Sequence, residues 1–281
     1  MKSEIIIINK DSGYTSRDVV NKLNKILNTK KIGHTGTLDP LASGVMIILT
    51  NKYTKLCDII LMDDKEYIAE IKLGLSTDTL DITGNIISKE KTKKLAIQDI
   101  NKVLKDYTKE YYQEVPIYSA VHVQGKRLYE YARSNEEVEL PKKLVKIKEL
   151  ELLDYHDDLI KIRCVVSSGT YIRALIKDIC ESLNVLGTMN SLIRTRVGLF
   201  TIEDSYTLED IATNNYQSIS IDKVLNITNI NIDDNLYKKV INGNLLKFNY
   251  NGYVMFKYNN ENIALYNFTN NIGKLVILMV K

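Results

Sequence analysis

The chain has 281 residues, 44% hydrophobic and 26% charged, so it can bury a core and is not a disordered polymer. No apolar run approaches the ~20 residues of a membrane span, and the opening stretch MKSEIIIINKDSGYTSRD turns charged too quickly for a signal peptide. A net charge of +3 permits nucleic-acid binding without arguing for it, because the abundant Lys, Asn, Ile and Tyr all have A/T-rich codons.

In chain order, EIIIIN (4–9) is a short apolar run suited to a buried strand. TSRDVVNKLNKIL then begins with a Thr/Ser cap, and Val19, Val20, Leu23, Ile26 and Leu27 form a helical stripe over residues 16–27. Lys30 and Lys31 lead into KIGHTGTLDPLASGV (31–45), where one acid, Asp39, sits between a glycine-rich run and Pro40. His34, Thr35, Thr37 and Ser43 surround it. The spacing of Gly33, Gly36 and Gly44 predicts a tight, open loop, followed by a buried strand or helix start at Val45–Leu49. Pro40 biases Asp39 away from helical backbone. Two readings of Asp39 stand open: an Asx-type turn bonded to nearby N–H groups, or a carboxylate constrained for chemistry.

Tyr67, Ala69, Ile71 and Leu73 alternate in KEYIAEIKLG (65–74), which predicts a strand. STDTLDITGNII reads as a polar connection followed by another strand. Residues 93–107 predict a helix burying Leu95, Ile100, Val103, Leu104 and Tyr107. LIKIRCVVSSGTYIRALIKDICESL predicts a strand (159–166), a Ser-Ser-Gly turn and a helix with Ile172, Ile176, Ile179 and Leu183 inside. Near residue 213 the chain becomes polar and Asn-rich, as a linker or peripheral excursion would be. GYVMFKYNNENIALYNF and KLVILMVK then predict short strands joined by Asn-Asn turns, forming a small β-rich unit packed on its neighbour. Without a regular βαβ rhythm, the fold class is α+β. Cys57, Cys164 and Cys180 are odd in number and lie among aliphatic residues, as reduced thiols of a cytoplasmic protein would. His34, His122 and His156 show no paired metal spacing, so no metal is expected.

Five blocks, read together, resemble the bacterial tRNA pseudouridine synthase B (TruB) family: GHTGTLDPLASGVMIILT (33–50), KEYIAEIKLGLSTDTLDITG (65–84), VPIYSAVHVQGKRLYEYAR (115–133), SSGTYIRALIKDICESL (167–183) and SLIRTRVGLFTIED (191–204). They keep the family's order and spacing over roughly residues 4–210, and GHTGTLDPLASG is similar to the stand-alone bacterial type rather than the guide-RNA-dependent type. The chain departs from the pattern at Lys10-Asp11, where the family has Lys-Pro. It also departs at Val115-Pro116, where the family has Pro-Pro, and at His122, usually Lys. The tail resembles the family's PUA RNA-binding domain through INGNLLKF. The fold implied is a pseudouridine synthase catalytic domain over 1–228, a mixed, largely antiparallel sheet flanked by helices. A small β-rich PUA-like domain over 229–281 completes it.

The resemblance implies a monomeric, cytoplasmic enzyme that converts uridine 55 in the TΨC stem-loop of tRNA to pseudouridine, with no cofactor, guide RNA or membrane. By resemblance Asp39 is the catalytic carboxylate, acting on the ribose or the uracil ring, and Arg173 is its cation, able to grip a carboxylate through two N–H bonds. Tyr67 matches the tyrosine that stacks on the target base and can receive its C5 proton, and Leu192 matches an apolar floor. Tyr171 either lines the same pocket or packs in the core. His34 matches the residue that fills the gap left when the base flips out. Lys30, Lys31, Lys126, Arg127 and Arg196 are candidates for phosphate contact.

Overall fold

A computed structural model describes residues 2–60, 64–225 and 227–280. The isoleucine run forms β1 (Ile5–Lys10), with Ile5 to Ile8 fully buried. A capping box opens α1 (Ser16–Ile26): the Asp18 N–H donates to Thr15 Oγ1 at 3.0 Å and the Thr15 N–H to Asp18 Oδ2 at 2.9 Å. Val19, Val20 and Leu23 are its buried stripe, while Ile26 and Leu27 are half-buried. The open loop begins later than expected. Ile32–Thr35 is a strand, β2, paired antiparallel to β3 (Ser43–Thr50), with His34 opposite Ile48. Gly33 hid that strand, since glycine carries no side chain to signal a pleated face. Only residues 36–42 are irregular.

After α2 (Cys57–Ile60), β4 (Lys65–Leu73) alternates as its pattern predicts and buries Lys65 on the same face as Tyr67. A ribbon of β5 (Leu75–Thr77) and β6 (Ile86–Lys89) follows, then α3 (Ile97–Tyr107), which starts at Ile97 rather than at 93. Next come β7 (Glu110–Glu114), the two-residue strands β8 (His122–Val123) and β9 (Lys126–Arg127), and α4 (Leu128–Ser134). The long β10 (Lys142–His156) and β11 (Leu159–Val166) precede α5 (Ile172–Ser182), β12 (Gly187–Val197) and β13 (Phe200–Thr201).

Among the described residues, nine strands form the central sheet in the order β1-β3-β12-β4-β11-β10-β7, with β2 on β3 and β13 on β12. Every pairing is antiparallel except β3 with β12. The sheet is thus mixed and largely antiparallel, flanked by helices, as the α+β reading expects. One core cluster joins Ile71, Ile162 and Met189 of the sheet to Ile100 and Leu104 of α3 and Leu175, Ile176 and Ile179 of α5. Another sets Ile6, Ile8 and Met46 against Val19 and Leu23 of α1. Cys164 and Cys180 are buried free thiols, each pushed up to about 12 by burial, so both stay protonated at neutral pH.

The chain continues through α6 (Leu208–Ala212) and α7 (Ile221–Val224) to β14 (Thr228–Asn231), α8 (Asp234–Ile241) and β15 (Leu246–Lys247). It closes with β16 (Gly252–Tyr258), β17 (Glu261–Thr269) and β18 (Ile272–Leu278). These strands form a second sheet in the order β14-β16-β17-β18-β15. Asn259-Asn260 and Asn270-Asn271 turn its hairpins, all four with positive φ, the backbone that right-twisted two-residue hairpins require. Phe256, Tyr266 and Phe268 give the tail an aromatic core of its own. A separate cluster joins Met255, Leu265 and Ile277 of the tail to Ile5, Ile7, Val45, Ile47 and Leu49 of the central sheet. Lys52 and Lys55 donate to the tail carbonyls of Val280 and Val276 at 3.1 and 3.0 Å.

Two outcomes follow from this packing. At the parallel β3–β12 pair, Gly44 (φ +108°) faces Arg194 so closely that a Cβ would lie 2.2 Å from the Arg194 carbonyl oxygen. Gly44→Ala combines that clash with left-handed strain and should lose at least about 3 kcal/mol in a urea melt. Ending the chain at 228 strips three buried side chains from the shared cluster. Melting should register a loss on the order of 5 kcal/mol, whereas an unchanged melting temperature would show the two sheets to be energetically independent.

Candidate active site

The irregular stretch 36–42 is held from below by α1. Buried Ser16 receives the Leu38 N–H at 2.9 Å and donates to the Leu38 carbonyl at 3.1 Å, and the Gly13 N–H donates to Pro40 O at 2.8 Å. Gly36 adopts φ +81° at the start of the bend. Asp39 therefore stands on a fixed loop with its side chain 36% exposed. Both of its carboxylate oxygens meet Arg173, Oδ2 at 2.8 Å from Nε and Oδ1 at 3.2 Å from Nη2. The carboxylate is thus gripped as a fork by one guanidinium, and the Asx-turn reading gives way to a long-range pair.

Arg173 itself is 6% exposed, near the start of α5. Two further donors are used: Nη1 bonds Thr79 O at 2.8 Å and Nη2 bonds Tyr118 O at 3.1 Å. The Asp81 carboxylate lies 3.9 Å from Nη1 as a second countercharge. A buried guanidinium with this many fixed acceptors keeps one orientation.

The pair lies on the wall of a cavity of about 430 Å³, a volume within the range of small-ligand pockets. Tyr67, Leu192 and Tyr171 line it together with Asp39 and Arg173. Tyr67 is buried on β4, and burial pushes its phenol above the ordinary range although Arg194 beside it bonds the phenol and pulls the other way. Tyr67 is therefore a neutral phenol at pH 7.

His34 does not line the cavity. It projects from β2, where burial, reinforced by Arg194 and Arg17, holds the imidazole below its usual pKa, and its Nδ1 is buried without a hydrogen-bond partner. Lys30 and Lys31 are exposed just before β2. Lys126 pairs with Glu136 at 2.9 Å, and Arg127 donates to the hydroxyl of Tyr129, which lines the cavity, at 3.2 Å. Arg196 is turned toward Glu66 (3.7 Å) and Gly198 O (2.9 Å), because a bulge in the β12–β4 register between Arg194 and Arg196 sets Arg196 opposite Glu66 while Arg194 stands opposite Tyr67.

Several cavity residues escaped the sequence reading. Arg194, 1% exposed, donates from Nε to Val45 O at 2.6 Å and from Nη2 to Gly36 O at 3.1 Å, tying β12 to both ends of the Asp39 loop. Lys65 and Lys143 also line the cavity. Lys10, 1% exposed, donates to the carbonyls of Asp11 and Tyr14 at 2.9 and 2.6 Å. Burial, with Arg194, lowers its pKa to about 8, against a smaller upward pull from Asp11 and Asp39. A period-two signal existed for two of these. Lys65 alternates with Tyr67, and Arg194 with Leu192, so each pair shares one sheet face. Among the described residues no cluster of His, Cys, Asp or Glu could hold a metal ion.

This geometry has counterparts among known proteins. Residues 24–172 match the TruB family pseudouridylate synthase N-terminal domain, and residues 173–227 match the tRNA pseudouridylate synthase B C-terminal domain. The chain is 43% identical over 250 residues to the tRNA pseudouridine synthase B of Caldanaerobacter subterraneus subsp. tengcongensis, covering 88% of this chain and 87% of that protein. It is 36% identical over 268 residues to the protein of the same name from Borreliella burgdorferi, covering 94% of each. The solved structure of a Cbf5-Nop10-Gar1 complex contains a similar chain, with a TM-score of 0.73 at 25% identity over 98% of this chain and 85% of that one. With both domain matches contiguous from 24 to 227 and relatives alike over nearly their whole length, the chain belongs to the TruB family of pseudouridine synthases.

Proposed function

We propose that the protein is a tRNA pseudouridine-55 synthase that acts on the TΨC stem-loop as a monomer in the cytoplasm, without a guide RNA. The observation that carries the reading is the bidentate Arg173–Asp39 pair on the wall of a cavity that also holds Tyr67 and Leu192. In the reaction the N1–C1′ bond breaks, the uracil turns over, C5 bonds to C1′, the C5 proton leaves and N1 takes up a proton. Product and substrate are isomers, so no co-reactant enters. Asp39 supplies the reactive carboxylate, and Arg173 fixes the direction of both its oxygens before substrate arrives.

The flipped base enters between Tyr67 and the Leu192 side of the cavity. Extrusion costs a few kcal/mol, recovered by stacking and burial. Tyr67 serves as a stacking face, a phenol kept neutral by burial while Arg194 bonds its hydroxyl. His34 stands outside the cavity as a neutral imidazole, suited to occupying the gap in the RNA stack rather than touching the flipped uracil. Lys30, Lys31, Lys126, Arg127 and Arg196 remain proposed phosphate contacts, the last three requiring exchange of a protein partner for RNA. The tail, residues 229–281, adds exposed Lys238 and Lys239 at the end of α8 as further contacts. Among the described residues no helix is long and apolar enough to cross a membrane.

Asp39→Asn tests the carboxylate. The amide leaves Arg173 one neutral acceptor in place of a charged pair, so stability should fall by about 1–3 kcal/mol while tRNA filter binding persists. Conversion of a transcript tRNA should vanish, and a folded Asp39→Asn protein that still forms pseudouridine would remove Asp39 from the mechanism. Arg173→Lys keeps the charge but replaces a planar fork with a point donor. Its single-turnover rate should drop roughly 10²-fold, and a wild-type rate would take the guanidinium out of the reaction.

A further inference from the structure

We propose that Gln113 is a positioning residue of the reaction, clamping the start of α5 so that the Arg173 guanidinium is aimed at Asp39. The inference rests on the reading of the Arg173–Asp39 pair given above. Gln113 lies on β7, the edge strand of the central sheet, yet it is only 1% exposed. Its side chain reaches across to Tyr171, which lines the cavity. Oε1 accepts the Tyr171 N–H at 2.8 Å, and Nε2 donates to the Tyr171 carbonyl at 3.1 Å. The second Nε2 hydrogen goes to the Tyr111 hydroxyl at 2.9 Å. Both amide donors and an acceptor are therefore engaged, and the amide has one workable orientation.

Tyr171 is the N-cap residue of α5 and has no side-chain cap bond of its own. Gln113 supplies a substitute from a residue 58 positions away, and Arg173 follows Tyr171 by two residues. The Tyr111 hydroxyl donates in turn to Asp178 Oδ2 at 2.9 Å, further along the same helix. β7 thus holds α5 at its cap and again at Asp178. The chain leaving β7 runs to Tyr118, whose carbonyl accepts from Arg173 Nη2. One segment therefore fixes both the helix that carries the guanidinium and an acceptor on the guanidinium itself.

Packing alone does not account for the residue. An amide buried to this degree must have its polar atoms satisfied, and an apolar side chain of similar size fills the space with no such requirement. All three bonds of the Gln113 side chain converge on the α5 cap and its Tyr111 brace, while only its backbone pairs with the neighbouring strand β10.

The test is single-turnover conversion of a full tRNA transcript by the intact protein, with Kd from filter binding and a melting curve on each variant. Gln113→Leu should slow conversion about 10²-fold while Kd stays within about threefold of wild type at a temperature where the variant is folded. Tyr111→Phe keeps the Tyr171 clamp but frees the amide, and should slow conversion by about three- to tenfold. If Gln113 acts through Arg173, the double variant Gln113→Leu/Arg173→Lys converts no slower than Arg173→Lys alone. Multiplying rate losses in the double variant, or a wild-type rate in folded Gln113→Leu, overturns the inference. Should Gln113→Leu fail to fold, a wild-type rate in Tyr111→Phe does the same. Residual conversion by Asp39→Asn in the same assay would instead overturn the reading of the pair itself.

Discussion

A guanidinium fork joining residues 134 positions apart in the chain is the constraint on which the site depends. Arg173 is too buried to stand without a countercharge, and Asp39 is its nearest. Removing a buried charge from water is costly unless the geometry of its partners is good. Here the partners come from Asp39, Thr79 and Tyr118, with Asp81 at longer range. Those residues lie on connections that share no secondary-structure element. The pair therefore fixes the mutual position of three loops around one cavity, and the sheet beneath supplies the rigid floor.

The electrostatic character of the cavity follows from how its other cations are held. Arg194 bonds two backbone carbonyls and the Tyr67 hydroxyl and pairs with no carboxylate among the described residues, so its positive charge stays largely unneutralised. Lys10, outside the cavity lining but close enough to Arg194 and Asp39 to feel their charges, is bound in the same way, by the carbonyls of Asp11 and Tyr14. Cations fixed on carbonyls leave a positive field over a site that must admit a polyanion. Lys10 carries the cost of that arrangement as a pKa drawn down to about 8. By contrast Arg163, on the opposite face of the sheet, is surrounded by Glu66, Glu149 and Glu151 and projects little net charge.

The tail is bound to the catalytic part by apolar burial rather than by a tether. Its middle strands bury Phe256 and Tyr266 on one side, and Met255 and Leu265 join the central sheet's cluster on the other. This alternation is the ordinary period of a strand used between two cores. A tail that shares a core moves as one body with the sheet it covers. Any RNA contacts made there stand at a set distance from Asp39.

Local pattern was enough for much of the fold. The isoleucine run, the Thr15–Asp18 cap, the alternation through Tyr67 and the paired asparagines each fix their own conformation by interactions a few residues long. The blocks around Asp39, Tyr67, Tyr171, Arg173 and Leu192 contain five residues of the cavity lining, legible there by motif alone. What stayed hidden is long-range. The β10 pattern is mostly polar, because much of that strand faces water on both sides, so no hydrophobic period marks it. β2 is masked by Gly33. His34 reads as a loop residue in the sequence and as a strand residue outside the cavity in the fold. The burial of Lys10, Lys65 and Arg194, and the reach of Gln113 to the α5 cap, depend on which strands become neighbours. Sequence alone determined which residues could carry the chemistry, because side-chain identity and local period are written there. Only the tertiary structure decided which charges meet, because an ion pair or a buried amide is a property of distance in space, and strand order in the sheet sets that distance.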